Sequence, residues 1–302
     1  MDWRVKALAF SVLSRFPFQS RIRVFLQKRF GALSCDWPVD RTLSYGRTLA
    51  MVCRKCGCPL DGKTTMEIGT GWVPLIPVFF WLCGSSSCHA YDIDRLLSED
   101  ISLRTLQSAV DFLFEKGWEE IYPERLEALK SALGGGLEQV LELCNIQYHA
   151  PADAAKTSLE SGSVDVVFTN DVLEHVSPRI LYMLFNEIRR LLSTNGVTVH
   201  IVDLSDHYSH SDSSVPLLNF LRYPEWQFRW INNCWLYQNR LRPHQYKELL
   251  LAAGLKAVYW DARIDQASVE FVRRARLAPQ FRELSEEELC ASALIFGARA
   301  IK

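Results

Sequence analysis

Thr64-Thr65-Met66-Glu67-Ile68-Gly69-Thr70-Gly71-Trp72-Val73 opens as a short β-branched and apolar run, breaks at paired glycines, and leads into an apolar stretch from Trp72 to Cys83. The run predicts a buried strand, the glycines a tight turn, and the apolar stretch a buried helix. Glycines at a strand's C-terminal end let the backbone bend sharply and approach a ligand, at the edge where open α/β sheets bind theirs. A second strand is expected over Cys88–Ile93, and it carries Asp92, twenty-three residues beyond Gly69. An acid at about 20 residues' spacing is placed to accept both hydroxyls of a ribose. The third glycine of the dinucleotide pattern would fall at position 74, which is Pro74, so a nicotinamide cofactor is disfavoured.

Outward from this turn, strands are expected at Ile146–His149, Val164–Thr169, Val197–Leu204, Val258–Ala262 and Ala293–Ala298. Val164–Thr169 is continuous and β-branched, as suits a strand covered on both faces. Helices are expected within 103–143, broken near Gly117 and at Gly134-Gly135-Gly136, and at Ile180–Leu192 and Pro243–Ala253. This alternation predicts an α/β fold with a doubly wound sheet. Residues 205–242 read as an irregular, aromatic-rich insertion, a lid over an acceptor.

The chain has 302 residues, 48% of them apolar, with 34 basic against 35 acidic side chains. These values exclude a disordered tail, a collagen-like repeat and a small disulfide scaffold. The formal charge of −1 argues against a generic polyanion binder. No secretory signal is read at the start, and Trp72–Cys83 falls short of the about 20 residues that cross a bilayer. The nine cysteines therefore read as reduced thiols of a cytoplasmic protein. Cys53, Cys56 and Cys58 have the spacing of half a zinc site, but no second half follows, so buried thiols are the favoured reading. Residues 1–30 hold seven basic side chains against Asp2, interleaved with aromatic and aliphatic residues. That pattern is expected to form an N-terminal helical cap over 1–60, with peripheral contact to an anionic membrane surface as the alternative.

The ordered set of motifs resembles the class I S-adenosylmethionine-dependent methyltransferases over roughly residues 60–265. Glu67, Gly69 and Gly71 are similar to the family's glycine motif, with Val73 where its third glycine usually sits. Asp92 is similar to the acid ending the second strand, and Asp153 with Ala154 to the acidic site near the adenine. The run Asn170-Asp171-Val172-Leu173-Glu174-His175-Val176 resembles the turn after the fourth strand. The resemblance is strongest to bacterial members that share Glu-Ile-Gly-Thr-Gly-Trp and Asn-Arg-Leu-Arg and are often linked to surface-glycan pathways. It implies a Rossmann-like sheet of seven strands, the last antiparallel, in a domain spanning 61–302. It also implies S-adenosylmethionine held by Glu67, Gly69, Thr70, Gly71, Asp92, Ile93, Asp153, Ala154 and Asn170.

Methyl transfer from a sulfonium needs in-line alignment, and a hydroxyl acceptor also needs its proton removed. His207 is the expected base, because its ordinary pKa suits proton removal near neutrality, with Asp203 and Asp171 beside it. Asp206, Arg240 and Arg242 are expected to bind the acceptor, the arginines by forking an acidic group. A divalent cation on Asp171, Glu174 and His175, completed by His200 or His207, is the less favoured arrangement. It resembles the cation site of some O-methyltransferases, where a metal favours an alkoxide. The expected activity is O-methylation of a small-molecule or glycan-linked hydroxyl. The alternatives are a non-catalytic cofactor-binding scaffold or sensor, and a nucleic-acid methyltransferase using the basic N-terminal segment.

Overall fold

In the computed structural model, which describes residues 3–13, 37–233 and 235–301, seven strands form one sheet: β1 (Thr64–Ile68), β2 (Ser87–Tyr91), β3 (Ile146–His149), β4 (Val164–Asn170), β5 (Leu192–Asp203), β6 (Leu255–Ile264) and β7 (Ala291–Ala300). Their order is β3-β2-β1-β4-β5-β7-β6. The first five run parallel, and β7 enters antiparallel between β5 and β6. Order reverses between β1 and β4, the switch point at which such sheets open a crevice for ligands. The seven strands and the antiparallel last one agree with the sequence reading. β5 starts five residues earlier than expected, because Leu192 pairs with Val164 before the ladder resumes at Val166 and Val197.

Two cores form because successive side chains of the central strands point to opposite faces. From β4, Val166 and Phe168 enter one core while Val164 and Val167 enter the other. The first core is covered by α2 (Val39–Lys55), α3 (Leu75–Leu82), α4 (Glu99–Lys116), α5 (Pro123–Ala132) and α6 (Leu137–Leu143), the second by α7 (Pro178–Leu191) and, beyond the short α8 (Glu225–Ile231), by α9 (Pro243–Ala252). Phe168 stacks on Phe80 of α3 with ring centroids 4.4 Å apart. Truncating so central a ring to alanine costs about 3–5 kcal/mol.

Helix α1 (Trp3–Leu13) does not pack on the sheet. Trp3 and Ala7 join Tyr208 and Val215 of the aromatic insertion in a small core of their own. Helix α2 buries Leu43, Leu49 and Val52 in the main core, so this part of the expected cap is continuous with the sheet domain. The rest of the expected helical pair falls in 14–36, outside the described residues. Cys53, Cys56 and Cys58 are buried free thiols whose pKa values burial pushes up.

The insertion is less irregular than its composition suggests. Leu218, Phe220 and Phe228 pack with Val272 of α10 (Gln266–Arg274), Phe281, and Leu289 of α11 (Glu286–Cys290), forming a satellite core. The sequence reading leaves both late helices unassigned. Their signals are short-range, an Asp265 N-cap for α10 and a Ser285–Glu288 capping box for α11.

Candidate active site

Strand order delivers the expected cofactor residues to one edge. β2, β1 and β4 are adjacent and parallel, so Asp92, the Gly69–Gly71 turn and Asn170 leave three neighbouring C-terminal ends. Gly69 has φ +83°, and a Cβ there would lie 2.5 Å from Val172 Cγ2. Only glycine lets the first turn lie this tightly against the turn after β4. Gly71, at φ +68°, faces open space instead, and its N–H donates to Asp92 Oδ2 at 2.8 Å. Asp92 Oδ1 accepts from the Asp94 amide at 3.1 Å, so each oxygen of this buried carboxylate keeps a lone pair for a further donor. Ile93 follows with 68% of its surface exposed, an apolar platform beside the acid. Ala154 is buried, and Asp153 is exposed with its Oδ1 accepting from the Ala155 amide.

Three buried polar atoms at this edge have no hydrogen-bond partner: Glu67 Oε2, Thr70 Oγ1 and Asn170 Oδ1. Orphaned polar atoms are rare in folded interiors and call for an explanation. Burial raises the Glu67 pKa to about 8, and the Asp92 charge adds to the shift. A ligand presenting an ammonium group and ribose hydroxyls would satisfy these atoms and the spare Asp92 lone pairs. The residues present therefore fit S-adenosylmethionine.

Beyond the ends of β4 and β5 lies a cleft of about 520 Å³ lined by Arg41, Tyr45, Asp171, Asp203, His210 and Arg263, among others. Asp171 connects it to the glycine turn, since it directly follows Asn170 and holds a left-handed φ of +53°. Such backbone in a non-glycine residue is strained and collects at functional sites. Burial and the neighbouring Asp203 charge raise the Asp171 pKa to about 6. Asp203 is pushed up by burial as well, but hydrogen bonds from His210 and Ser205 outweigh this and leave it below the ordinary carboxylate value. His210 Nε2 lies 3.2 Å from Asp203 Oδ2, and this contact raises the histidine's pKa against the effect of burial.

The expected base, His207, stands off this cleft. His207 lies 3.6 Å from Asp203 but is not among the cleft-lining residues, and burial with the adjacent His175 lowers its pKa to about 4. A histidine so reluctant to bind a proton is a weak base. His200 is fully buried between Thr169 and Thr198, and burial lowers its pKa to about 3.

The expected acceptor ligands also have partners within the protein. Arg240 donates to the Phe220 and Tyr223 carbonyls and to Glu225, and stacks 3.8 Å above the Phe228 ring. Arg242 has no exposed surface and donates to the carbonyls of Leu204, Glu288, Leu289 and Ala291. Arg242 ties the satellite core to the ends of β5 and β7, and Arg240 braces the insertion internally; neither lines the cleft beside Asp171. Asp206 is buried, accepting from the Tyr208 amide and from Asn219 Nδ2 as the cap of a single helical turn.

Among the described residues, one group of side chains could hold a metal: Glu174, His175 and His207, with ligand atoms within 4.8 Å of one another. Asp171 is not part of it. Both Glu174 oxygens are buried without partners, and burial with the nearby Asp171 charge raises its pKa well above the usual range. His175 Nδ1 lies 2.8 Å from the Tyr237 carbonyl.

Three site residues escaped the sequence reading: His210, Arg41 and Arg263. His210 stands one turn beyond His207 in a segment already under suspicion. Arg41 and Arg263 carry no local signal, because only the packing of α2 and β6 around β5 and β7 brings them to the cleft.

Residues 121–200 match the family described as "Methyltransferase domain". No curated protein matches the chain. Among solved structures, the fold is similar to geranyl diphosphate C-methyltransferase from Streptomyces coelicolor A3(2), crystallised with Mg2+, geranyl diphosphate and S-adenosyl-L-homocysteine. That likeness has 13% identity, 87% coverage of this chain, 82% of the other and a TM-score of 0.50. A putative sarcosine dimethylglycine methyltransferase from Galdieria sulphuraria is similar at 15% identity, covering 86% of this chain and 88% of its own, with a TM-score of 0.45.

Proposed function

We infer that this chain, a class I S-adenosylmethionine-dependent methyltransferase, passes the methyl group to a hydroxyl on a small-molecule or glycan-type acceptor seated in the cleft beside Asp171. The observation that carries this reading is the His210–Asp203 pair, 3.2 Å apart on the cleft wall. Nε2 also lies 3.0 Å from Ser205 Oγ; with Nε2–H shared between that hydroxyl and the carboxylate, Nδ1 is left to take a proton, and Asp203 stabilises the imidazolium that results. Hydroxyl methylation is the transfer that most needs such a base.

In this reading Glu67, Thr70 and Asn170 receive the methionine end of S-adenosylmethionine, Asp92 its ribose hydroxyls, and Ile93, Asp153 and Ala154 the adenine side. The bound cofactor supplies an electrophilic methyl group. The chain holds the acceptor oxygen in line with it, excludes water and moves the hydroxyl proton to His210. Arg41 and Arg263 give one wall of the cleft a positive face, which suits an acceptor bearing a carboxylate or phosphate away from the reacting hydroxyl.

The test is transfer of radiolabelled methyl from S-adenosylmethionine to fractionated bacterial metabolites and glycan precursors, with stability to alkali and release of labelled methyl iodide by hydriodic acid as the readouts that separate an ether from an ester and from N- or C-methylation. An alkali-stable methyl ether, formed at least about a hundredfold more slowly by His210→Ala at equal cofactor affinity, is expected. A methyl group on nitrogen or carbon, or undiminished transfer by that variant, would refute the reading. Cofactor binding without transfer to any fraction would favour a scaffold or sensor.

A further inference from the structure

The outer faces of α1 and α8 form an apolar patch that the methyl-transfer reading does not use. Helix α1 buries Trp3, Ala7 and Ser11. Its opposite side sets out Val5, Leu8 and Val12, exposed by 57, 68 and 48%. Surface helices ordinarily carry one apolar stripe, turned inward. This helix carries a second, at the same three- and four-residue steps, turned outward.

Helix α8 extends the patch. Trp226 and Trp230, one turn apart, are 65 and 69% exposed. The helices are joined directly, with Ser11 Oγ donating to the Trp230 carbonyl at 2.9 Å. Five large apolar side chains exposed on two joined helices mark an interaction site rather than a scatter of single residues.

The charges around it identify the partner. Arg4 is exposed on α1 and Lys6 is partly exposed, Arg222 is exposed ahead of α8, and Arg229 lies within α8, 3.4 Å from Glu225. We propose that this patch docks the protein on an anionic phospholipid surface. Paired indoles suit the headgroup boundary, the aliphatic stripe suits the acyl edge, and the basic side chains suit a negative surface potential. A second copy of the chain fits less well, because a self-complementary contact would bring Arg4 and Lys6 against like charges. No helix of the described residues is long and apolar enough to cross a membrane. Contact would therefore be peripheral.

The experiment is co-sedimentation of the full chain with phosphatidylcholine vesicles, with and without a quarter phosphatidylglycerol, at low and high salt. Binding to the anionic vesicles that weakens with salt is expected. Leu8→Glu and the pair Trp226→Ser with Trp230→Ser should each lower partition about tenfold or more, with S-adenosylhomocysteine affinity and thermal midpoint unchanged. Three results would overturn the proposal. These are no partition into any vesicle, parental partition by both variants, and a dimer in light scattering that Leu8→Glu dissociates.

Discussion

Replacing Glu67 by Gln tests the buried acid of the glycine turn through stability and ligand binding at once. In the folded chain its pKa is raised from 4.5 to about 8, so at neutral pH the folded state keeps the proton that the unfolded state releases. A raised folded pKa contributes stability that is whole below pH 4.5 and is lost as pH climbs towards 8. Linkage over that interval disfavours the folded state by about 3 kcal/mol at pH 7. Gln removes this loss but introduces an amide donor facing the partnerless Oε2 position, which costs about 1 kcal/mol. The variant should therefore be about 2 kcal/mol more stable than the parent at pH 7 and about 1 kcal/mol less stable at pH 4. Urea titrations of ligand-free protein across that range measure both. If Glu67 meets the ligand's ammonium, S-adenosylhomocysteine binding near pH 7 should release up to about one proton. Calorimetry in buffers of different ionisation enthalpy should detect it in the parent and lose it in Glu67→Gln. A variant whose stability follows pH as the parent's does, or one destabilised equally at pH 4 and 7, would refute the reasoning.

Three further outcomes follow from the same geometry. The His210 pKa is raised mainly by Asp203, so kcat/KM should rise with pH on a limb centred above the ordinary histidine value. Asp203→Asn should move that limb to lower pH and slow the reaction, and a stationary limb would remove His210 from the role of base. Gly69→Ala should destabilise by about 2–3 kcal/mol and weaken S-adenosylhomocysteine binding, since positive φ and the Val172 contact act together. Adding Val172→Ala should return the steric share, and a cycle without coupling would contradict the packing. Glu174→Gln should change stability by less than about 1 kcal/mol if the buried acid is protonated. A thermal midpoint that Mn2+ or Zn2+ raises in the parent but not in this variant would show that a cation binds there instead.

What could be read in the sequence, and what could not, divides along the range of the forces involved. β1 and β4 are legible because strands covered on both faces are rich in β-branched and apolar residues, and the Gly69–Gly71 turn because φ above zero excludes most residues. Glu67, Asp92, Asn170, Asp171 and Asp203 were legible for the same reason, each standing at a strand's C-terminal end where chain order dictates position. His210 and His207 are separated by one helical turn, and the sequence carries nothing to decide which faces the cleft. The turn capped by Asp206 decides it. Arg240 and Arg242 show the converse: their spacing suggests a fork for an anion, and only the fold reveals that Arg242 spends its donors on backbone carbonyls and Arg240 on two carbonyls and Glu225.

The same division explains why the cofactor half of the site is better specified than the acceptor half. Residues expected to hold the cofactor come from adjoining strand ends, whose separation hydrogen-bond ladders set at about 4.8 Å per strand. The proposed acceptor cleft draws its walls from α2, β6 and the segment after β5, which are distant in sequence and meet only through side-chain packing. Substitutions on α2 or in the satellite core can therefore reshape the cleft without touching the glycine turn. One such substitution would be Arg242→Leu, which leaves the carbonyls of Leu204 and Ala291 without their donor. It should loosen the cleft wall beyond β5 and impair transfer while cofactor affinity holds, because no guanidinium contact reaches the ends of β1 or β2.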